Sequence, residues 1–202
     1  MNILEIFYSI QGEGKNQGRP TIFIRLAGCN LRCRWCDTPG AYDQGIMLTA
    51  SEIISKIRDF RCREICITGG EPLLQEKELV DLLKLLFSLG YHTEIETNGT
   101  LDFSGCQEFS TICMDIKCPS SGEKSTLSLL DRINERDSVK FVVVDEKDCL
   151  YAKDVIMSST IRGEVFFSPV WGSDVRKIAL FVLEQGLPVR IQVQLHKILG
   201  VS

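Results

Sequence analysis

The sequence predicts an α/β fold in which a parallel sheet forms a partial, incomplete TIM-like barrel with its helices outside. Short apolar runs of β-forming residues alternate with amphipathic helical patterns in about six β/α units, fewer than the eight of a complete barrel. No linker, repeat or low-complexity segment interrupts this alternation in the 202 residues. Parallel strands joined by right-handed crossovers place the helices on the outer face. We therefore expect one domain over residues 1–202.

The individual elements follow from hydrophobic periodicity and from the turn residues that end each run. Thr49 and Glu52 form a capping box at the start of the first helix, whose Ile53, Ile54 and Ile57 share one face. Further helices are expected around residues 79–86 and 127–133, and over residues 146–157 and 173–184. The expected strands are residues 3–10, 21–26, 64–68, 91–96, 111–116, 139–144, 165–167 and 189–193.

Composition excludes several classes of protein. A net charge of −4 and a pI near 5.3 argue against a broad basic surface for nucleic acid. No apolar stretch reaches the length of a membrane span, and the N-terminus lacks the pattern of a signal peptide. The nine cysteines occur among regular strand and helix patterns, unlike those of a short disulfide-rich scaffold. We expect a cytoplasmic protein that acts on a small molecule and binds neither nucleic acid nor membranes.

Three cysteines, Cys29, Cys33 and Cys36, follow the predicted strand 21–26 in a single short loop. An iron–sulfur cluster usually takes four thiolates, so a set of three leaves one iron open for chemistry. A structural zinc site and disulfides are the alternatives, but structural zinc normally takes four ligands and no further Cys or His lies nearby. The spacing therefore favours a cluster with one open iron.

Other polar and glycine residues fall at the ends of the predicted strands. The loop at residues 11–14 brings two glycines and Glu13 together, although a plain turn with a solvated Glu13 is the alternative. Arg25 lies beside the cysteine loop, where its guanidinium can either reach solvent or grip a carboxylate. Ligands of α/β folds bind at the carboxyl ends of the strands. The residues expected to meet there include Gly69, Gly70, Asn98, Asp115, Lys117 and Ser168.

The cysteine loop, with Trp35 between its second and third cysteines, resembles that of the radical S-adenosylmethionine superfamily. The run at residues 69–72, Gly-Gly-Glu-Pro, is similar to the second signature of that superfamily. The resemblance implies a [4Fe-4S] cluster on Cys29, Cys33 and Cys36. It also implies S-adenosylmethionine bound at the open iron and an electron donor such as flavodoxin or ferredoxin.

Longer runs resemble one family within that superfamily, whose members convert 6-carboxy-5,6,7,8-tetrahydropterin to 7-carboxy-7-deazaguanine with loss of ammonia. That reaction belongs to queuosine and deazapurine biosynthesis. The resemblance implies a magnesium-assisted homodimeric lyase with no catalytic side chain beyond the cluster and its cofactor. The implied reaction starts when a 5'-deoxyadenosyl radical takes the hydrogen from C6 of the pterin. The runs that carry the likeness are residues 5–14, 23–26, 36–38, 67–72 and 96–100.

The same resemblance implies roles for individual residues, with Thr38 as the magnesium ligand. The closing segment 194–202 is also similar to that of the family, although many members end in proline where this chain has Ser202. The implied substrate-binding residues are Ile10, Gln11, Gly12, Glu13, Arg25 and Thr68. The implied cofactor-binding residues are Trp35, Gly69, Gly70, Glu71, Asn98, Asp115, Ile116, Lys117, Ser168, Pro169, Val170 and Trp171.

Two other functions stay open from the sequence alone. An activase that installs a glycyl radical on a partner protein shares the three-cysteine loop, but it does not need the polar loop at residues 11–13 or Arg25. A non-catalytic iron–sulfur or zinc-binding module does not need the glycine pair and normally fills its fourth ligand position. The six other cysteines, including Cys62 and Cys66, are expected to be structural thiols.

Overall fold

One sheet runs through the computed structural model, which describes residues 1–42 and 45–201. Its strand order is β3-β1-β2-β4-β5-β6-β7-β8-β9. The strands β2 and β4 to β9 run parallel, whereas β1 pairs antiparallel with both β2 and β3. The strands are β1 (Asn2–Ile10), β2 (Pro20–Leu26), β3 (Ile46–Met47), β4 (Glu64–Gly69), β5 (His92–Thr97), β6 (Thr111–Lys117), β7 (Ser138–Val143), β8 (Glu164–Pro169) and β9 (Arg190–Ile191).

The sheet is mostly parallel and is not closed, which confirms the predicted partial barrel. Its two edge strands, β3 and β9, do not pair with each other among the described residues. The helices are α1 (Ala50–Ile57), α2 (Glu76–Ser88), α3 (Glu146–Ser158), α4 (Val175–Gln185) and α5 (Leu195–Leu199). The capping box before α1 is confirmed, because Thr49 accepts from the Glu52 amide while the Glu52 carboxylate accepts from the Thr49 amide.

The structure departs from the predicted elements in three places. The helix expected at residues 127–133 is a 3-10 helix, Leu127–Arg132, because the spacing of three that suggested an α-helix equals the 3-10 period. The strand expected at residues 189–193 ends at Ile191, where Gln192 turns its side chain to accept from the Gly14 amide at 2.7 Å. Further 3-10 helices are Pro39–Tyr42, Pro72–Gln75 and Pro119–Ser121, and neither they nor β3 and α5 were predicted.

Side chains alternate across each strand and give the sheet two unlike faces. The outer face is apolar and packs against the helices, for example Ile67 of β4 and Phe141 of β7, which are fully buried with Leu82 and Leu83 of α2 in one core. The inner face carries charged and polar residues that line a cavity: Arg25, Thr68, Glu96, Asp115, Lys117, Lys140 and Ser168. The same alternation that builds the core therefore aims the polar residues inward.

No helix among the described residues is long and apolar enough to cross a membrane.

Candidate active site

A cavity of about 230 Å³ lies at the carboxyl ends of the parallel strands. Its walls come from the loop after β1, the loop after β2, the ends of β4 to β8 and the segment at residues 194–197. Most residues that the sequence assigned to substrate, cofactor or metal line this cavity. They are Ile10, Gln11, Gly12, Glu13, Arg25, Cys29, Cys33, Trp35, Cys36, Thr38, Thr68, Gly69, Gly70, Asn98, Asp115, Lys117, Ser168, Pro169 and Val170.

Three predicted cofactor residues, Glu71, Ile116 and Trp171, have side chains that do not line the cavity. Ile116 points from β6 into the apolar core, because it lies one residue out of phase with Asp115 and Lys117. Trp171 is 57% exposed, with Lys197 Nζ 6.0 Å from its ring centroid. Glu71 is fully buried and accepts from Asn98 N at 2.7 Å and Thr97 Oγ1 at 2.9 Å. Its carboxylate therefore holds the loop after β5 in place.

The cysteine loop is anchored to its neighbours through hydrogen bonds on several sides. The Gly28 carbonyl accepts from the Glu71 amide at 2.8 Å. Asn30 accepts from the Asn98 side chain at 2.9 Å and donates to Thr100 at 2.8 Å. Across the loop, Trp35 Nε1 donates to Ser120 Oγ at 2.9 Å. These contacts fix the loop against the ends of β4, β5 and β6.

The three thiols of this loop suit an iron–sulfur cluster. Cys29, Cys33 and Cys36 are free, half-buried and on the wall of one cavity. Burial raises the pKa of Cys33, while the nearby ammonium of Lys117 opposes that rise. Tyr42 adds a phenol that is hydrogen-bonded to Cys36, which raises the pKa of Tyr42. Thiolates gathered at a partly dry surface beside a cation are the donor set that such a cluster takes.

Two glycines allow the cysteine loop to pack directly on the end of β4. Gly69 has φ = +122°, and a Cβ at Gly70 would lie 1.9 Å from the Gly28 carbonyl oxygen. The Gly70 amide also donates to the Leu26 carbonyl at 2.9 Å. Side chains at either position would push the loop away from the sheet.

Arg25 provides an unpartnered donor on the wall of the cavity. Its Nη1 pairs with Glu5 at 3.2 Å, and its guanidinium lies 5.2 Å from the centroid of the Phe7 ring. Its Nε is buried and has no hydrogen-bond partner. A buried guanidinium donor without a partner suits an anionic ligand such as a carboxylate.

The floor of the cavity holds a buried charge cluster in which Lys140 and Glu96, which the sequence did not assign to the site, join Glu13, Asp115 and Lys117, which it did. Lys140 Nζ lies 2.5 Å from Glu13 Oε2, 3.2 Å from Asp115 Oδ1 and 3.8 Å from Glu96 Oε2. Lys117 pairs with the second oxygen of Asp115 at 2.9 Å. Burial opposes charge on Asp115, yet the two lysines lower its pKa. Lys140 interrupts the apolar run of β7, which was the available signal for it, whereas the polar sequence of β5 does not single out Glu96.

Behind this floor, Gln11 connects the loop after β1 to two acidic residues of β5. Its Nε2 lies 3.4 Å from Glu94 Oε1 and 3.5 Å from Glu96 Oε1, while its Oε1 accepts from the Gly12 amide at 3.0 Å. Burial and then the charge of Glu96 raise the pKa of Glu94 to about 7. The Cys66 thiol and the carboxylates of Glu94 and Glu96 lie within 4.8 Å of one another, a grouping that could hold a metal ion. In this structure the Gln11 amide donates to both carboxylates.

The C-terminal segment covers one side of the cavity. His196 packs directly on Gly12, where a Cβ would come 1.8 Å from its Nδ1. Burial lowers the pKa of His196 and so favours the neutral imidazole at pH 7. Lys197 lies 3.4 Å from Asp37 of the cysteine loop. These contacts were not predicted, and Ser202 lies outside the described residues.

The other six cysteines are free thiols. Five are buried, and Cys62 is half-buried with its thiol 3.1 Å from the Pro20 carbonyl oxygen. Burial raises the pKa values of Cys66 and Cys113. Neutral buried thiols of this kind are inert packing groups.

The fold and the three-cysteine cavity define a member of the radical S-adenosylmethionine class. The family model described as "Radical SAM superfamily" matches residues 23–115. The solved structure of QueE from Escherichia coli shares the fold, with a TM-score of 0.79 and 24% identity over 96% of this chain and 94% of that one.

Curated relatives define the family more narrowly. A protein of Methanospirillum hungatei named 7-carboxy-7-deazaguanine synthase is 49% identical over 99% of this chain and 86% of its own length. A protein of the same name from Chlorobaculum tepidum is 41% identical over 98% of this chain and 93% of its own length. The chain belongs to the 7-carboxy-7-deazaguanine synthase family. Membership implies a [4Fe-4S] cluster and S-adenosylmethionine, and it disfavours both the activase and the non-catalytic module.

We expect Gly70→Ala to reduce cluster incorporation strongly, because its Cβ would meet backbone atoms of the cysteine loop that cannot move independently. The measurement is iron and sulfide content per protein after anaerobic reconstitution. Gly40→Ala is the matched control, since its Cβ meets no atom within 4 Å. Normal cluster content in Gly70→Ala would contradict the proposed close packing.

We expect Glu94→Gln to stabilise the protein above pH 7 and to have little effect near pH 4.5. The pKa of Glu94 is raised to about 7 in the folded state, so the folded state binds more protons than the unfolded state between these values and stability falls as pH rises. The expected gain is about 1–3 kcal/mol in the free energy of unfolding. Urea unfolding at both pH values measures it, with exposed Glu78→Gln as the control. An equal effect at both pH values would count against the raised pKa.

Proposed function

We propose that this protein converts 6-carboxy-5,6,7,8-tetrahydropterin to 7-carboxy-7-deazaguanine with loss of ammonia. The observation that carries the proposal is one cavity that joins the three-cysteine loop to the unpartnered Nε of Arg25. The names of the full-length relatives support the same reaction. A small, anionic and nitrogen-rich substrate matches a cavity of about 230 Å³ with one free guanidinium donor and several carboxylates.

The residues of the cavity divide into two groups in this proposal. Cys29, Cys33 and Cys36 hold the cluster, and Lys117 lies beside them with its Nζ 5.4 Å from the Trp35 ring centroid. When bound there, the cluster and S-adenosylmethionine supply the one-electron chemistry that generates an adenosyl radical. The chain positions the reactants and keeps most water out.

On the substrate side, Arg25 binds the carboxylate of the pterin through its unpartnered Nε. Glu13 accepts from ring nitrogens, since its carboxylate lines the cavity and is held by Lys140. Thr68 lies opposite Arg25 in the pairing of β4 with β2 and donates to Glu96 at 3.4 Å. Ile10, Gln11 and Gly12 provide backbone and amide groups along the same wall. In this arrangement Arg25 binds the carboxylate at one end of the pterin, and Glu13 binds the ring at the other.

Magnesium is the second metal of the proposal, with the Thr38 hydroxyl as a ligand. Thr38 follows the last cluster cysteine and lines the cavity beside Asp37, to which its hydroxyl donates at 3.1 Å. Hydroxyl and carboxylate oxygens are ligands that magnesium prefers, and a magnesium ion usually keeps several waters or substrate oxygens. Such an ion would screen the substrate carboxylate near Arg25.

The remaining parts of the proposal concern context. We propose that the protein is a cytoplasmic homodimer with one domain over residues 1–202. A small electron-transfer protein such as flavodoxin or ferredoxin reduces the cluster. No nucleic acid or membrane takes part.

We expect anaerobically reconstituted protein, supplied with reductant, magnesium and S-adenosylmethionine, to form the deazaguanine from the carboxytetrahydropterin. Mass spectrometry of the product tests this. Cys33→Ala should lose the cluster and turnover, whereas Cys62→Ala should retain both, because Cys62 lies outside the cysteine loop. A wild-type protein with an intact, reducible cluster that makes no deazaguanine would refute the proposed reaction.

We expect Thr38→Ala to lose the magnesium dependence of turnover while cluster content stays normal, because the substitution removes a magnesium ligand and no cluster ligand. Turnover is measured against magnesium concentration, and Thr38→Ser serves as the matched variant that keeps a hydroxyl. An unchanged magnesium response in Thr38→Ala would eliminate the hydroxyl as a ligand.

A further inference from the structure

Lys140 is a buried cation in the middle of β7, between the apolar residues Val139 and Phe141. Only 3% of the residue is exposed. Its ammonium group donates to Glu13 at 2.5 Å and lies 3.2 Å from Asp115 and 3.8 Å from Glu96. Three carboxylates from three separate segments therefore converge on one ammonium group.

These carboxylates belong to different parts of the cavity. Glu13 is in the loop after β1, on the side of Arg25, and its carboxylate pairs with Lys140 of β7. Asp115 is on β6, and its other oxygen binds Lys117, which lies beside Trp35 and the cysteine loop. Lys140 is thus the side chain that joins the two sides.

The balance of charge makes this cation hard to replace. Two lysines face three carboxylates in a region that is largely shielded from water. A buried ion pair that loses one partner leaves an uncompensated charge, and its neighbours then rearrange or change their protonation. Without Lys140, Asp115 keeps only Lys117, which is drawn more tightly to it and away from the cavity.

We propose that Lys140 is a positioning residue that fixes Glu13 for the substrate and keeps Lys117 available to S-adenosylmethionine by sharing Asp115 with it. The identity of the substrate rests on the proposed function, whereas the arrangement around Asp115 does not. The role differs from simple packing, because an uncharged side chain of similar length fills the space without holding either carboxylate.

Several other charged or titratable groups face this cluster. Glu94 and Glu96 approach from β5 and Cys113 from β6, and the charge of Lys140 acts on each of them. Asp37 approaches from the cysteine loop. Burial raises the pKa of Glu96, and Lys140 opposes that rise. Loss of Lys140 therefore favours protonation of acids that line the cavity.

The first test is equilibrium binding of S-adenosylmethionine to the reconstituted protein. We expect Lys140→Met to weaken this binding about tenfold or more, because removal of one partner of a buried ion pair is strongly unfavourable for the group left behind. Lys140→Arg keeps the charge and should recover most of the affinity. Lys153→Met is the control, since Lys153 lies on the outer helix α3, where its Nζ donates to Gln185 Oε1 at 2.7 Å.

The second test is the pH dependence of kcat/KM for deazaguanine formation. In Lys140→Met the acidic limb should move up by about one pH unit or more, as expected when a carboxylate loses a neighbouring cation. Lys140→Arg should keep the limb at its wild-type position. A merely structural role would lower the amount of active protein without moving the limb.

The outcomes separate this inference from the proposed function. If the wild-type protein makes no deazaguanine, the proposed function fails, and binding of S-adenosylmethionine still decides the role of Lys140. A folded Lys140→Met variant with wild-type affinity for S-adenosylmethionine overturns the inference. If Lys140→Met does not fold, Lys140→Met/Glu13→Gln restores the wild-type net charge of the cluster. That double variant should still bind S-adenosylmethionine weakly, and normal binding would overturn the inference.

Discussion

The site depends on the close backbone contact between the cysteine loop and the end of β4. The Leu26 carbonyl accepts from Gly70, and the Gly28 carbonyl accepts from Glu71. Gly69 and Gly70 at the end of β4 have no room for a Cβ against Leu26 and Gly28, so this contact fixes the height of the loop above the sheet. The three thiols follow immediately after Gly28. Their positions are therefore set by main-chain atoms, which move less than side chains on a free loop would.

The second constraint is the burial of charge on the inner face of the sheet. A sheet with an apolar outer face must still accommodate the alternate side chains, and here five of them on neighbouring strands carry charge. Isolated charges in such a place are strongly unfavourable, but ionised pairs such as Lys140–Asp115 and Lys117–Asp115 compensate one another. The arrangement is stable only as a set. It keeps polar groups aimed into a cavity that apolar packing alone would fill.

Sequence reasoning recovered the parts of the structure that follow from local rules. Strand ends and turn residues placed most of the site in one cavity, and the capping box placed α1 correctly. Ile116 was assigned to the site because residues 115–117 match a cofactor-binding segment of the family, but strand alternation turns its side chain into the core. Glu71 belongs to a matched motif, yet its carboxylate accepts a hydrogen bond from the Asn98 amide and does not line the cavity. A motif match predicts which segment lies at the site. Which side chains of that segment face the cavity depends on the position of each residue in its strand.

Long-range packing explains what the sequence did not reveal. The role of Lys140 needs Glu13, which is 127 residues away in the chain, and no local pattern links them. Nor does any local pattern show that the loop after β1 and the segment after β9 together enclose the cavity of this open sheet.

On the open side of the sheet, hydrogen bonds between loops take the place of strand pairing. Gln192 binds the Gly14 amide, and the Leu195 amide binds the Gly12 carbonyl at 3.1 Å. Gln17 then donates to both the Gly12 carbonyl, at 2.9 Å, and the Val193 carbonyl, at 2.7 Å. These bonds join the loop after β1 to the segment after β9 without extending either edge strand. The loop that carries Gln11, Gly12 and Glu13 is thereby held from the C-terminal side as well as by Lys140. An open barrel can therefore offer a walled cavity, because its first and last segments close the side that its strands leave open.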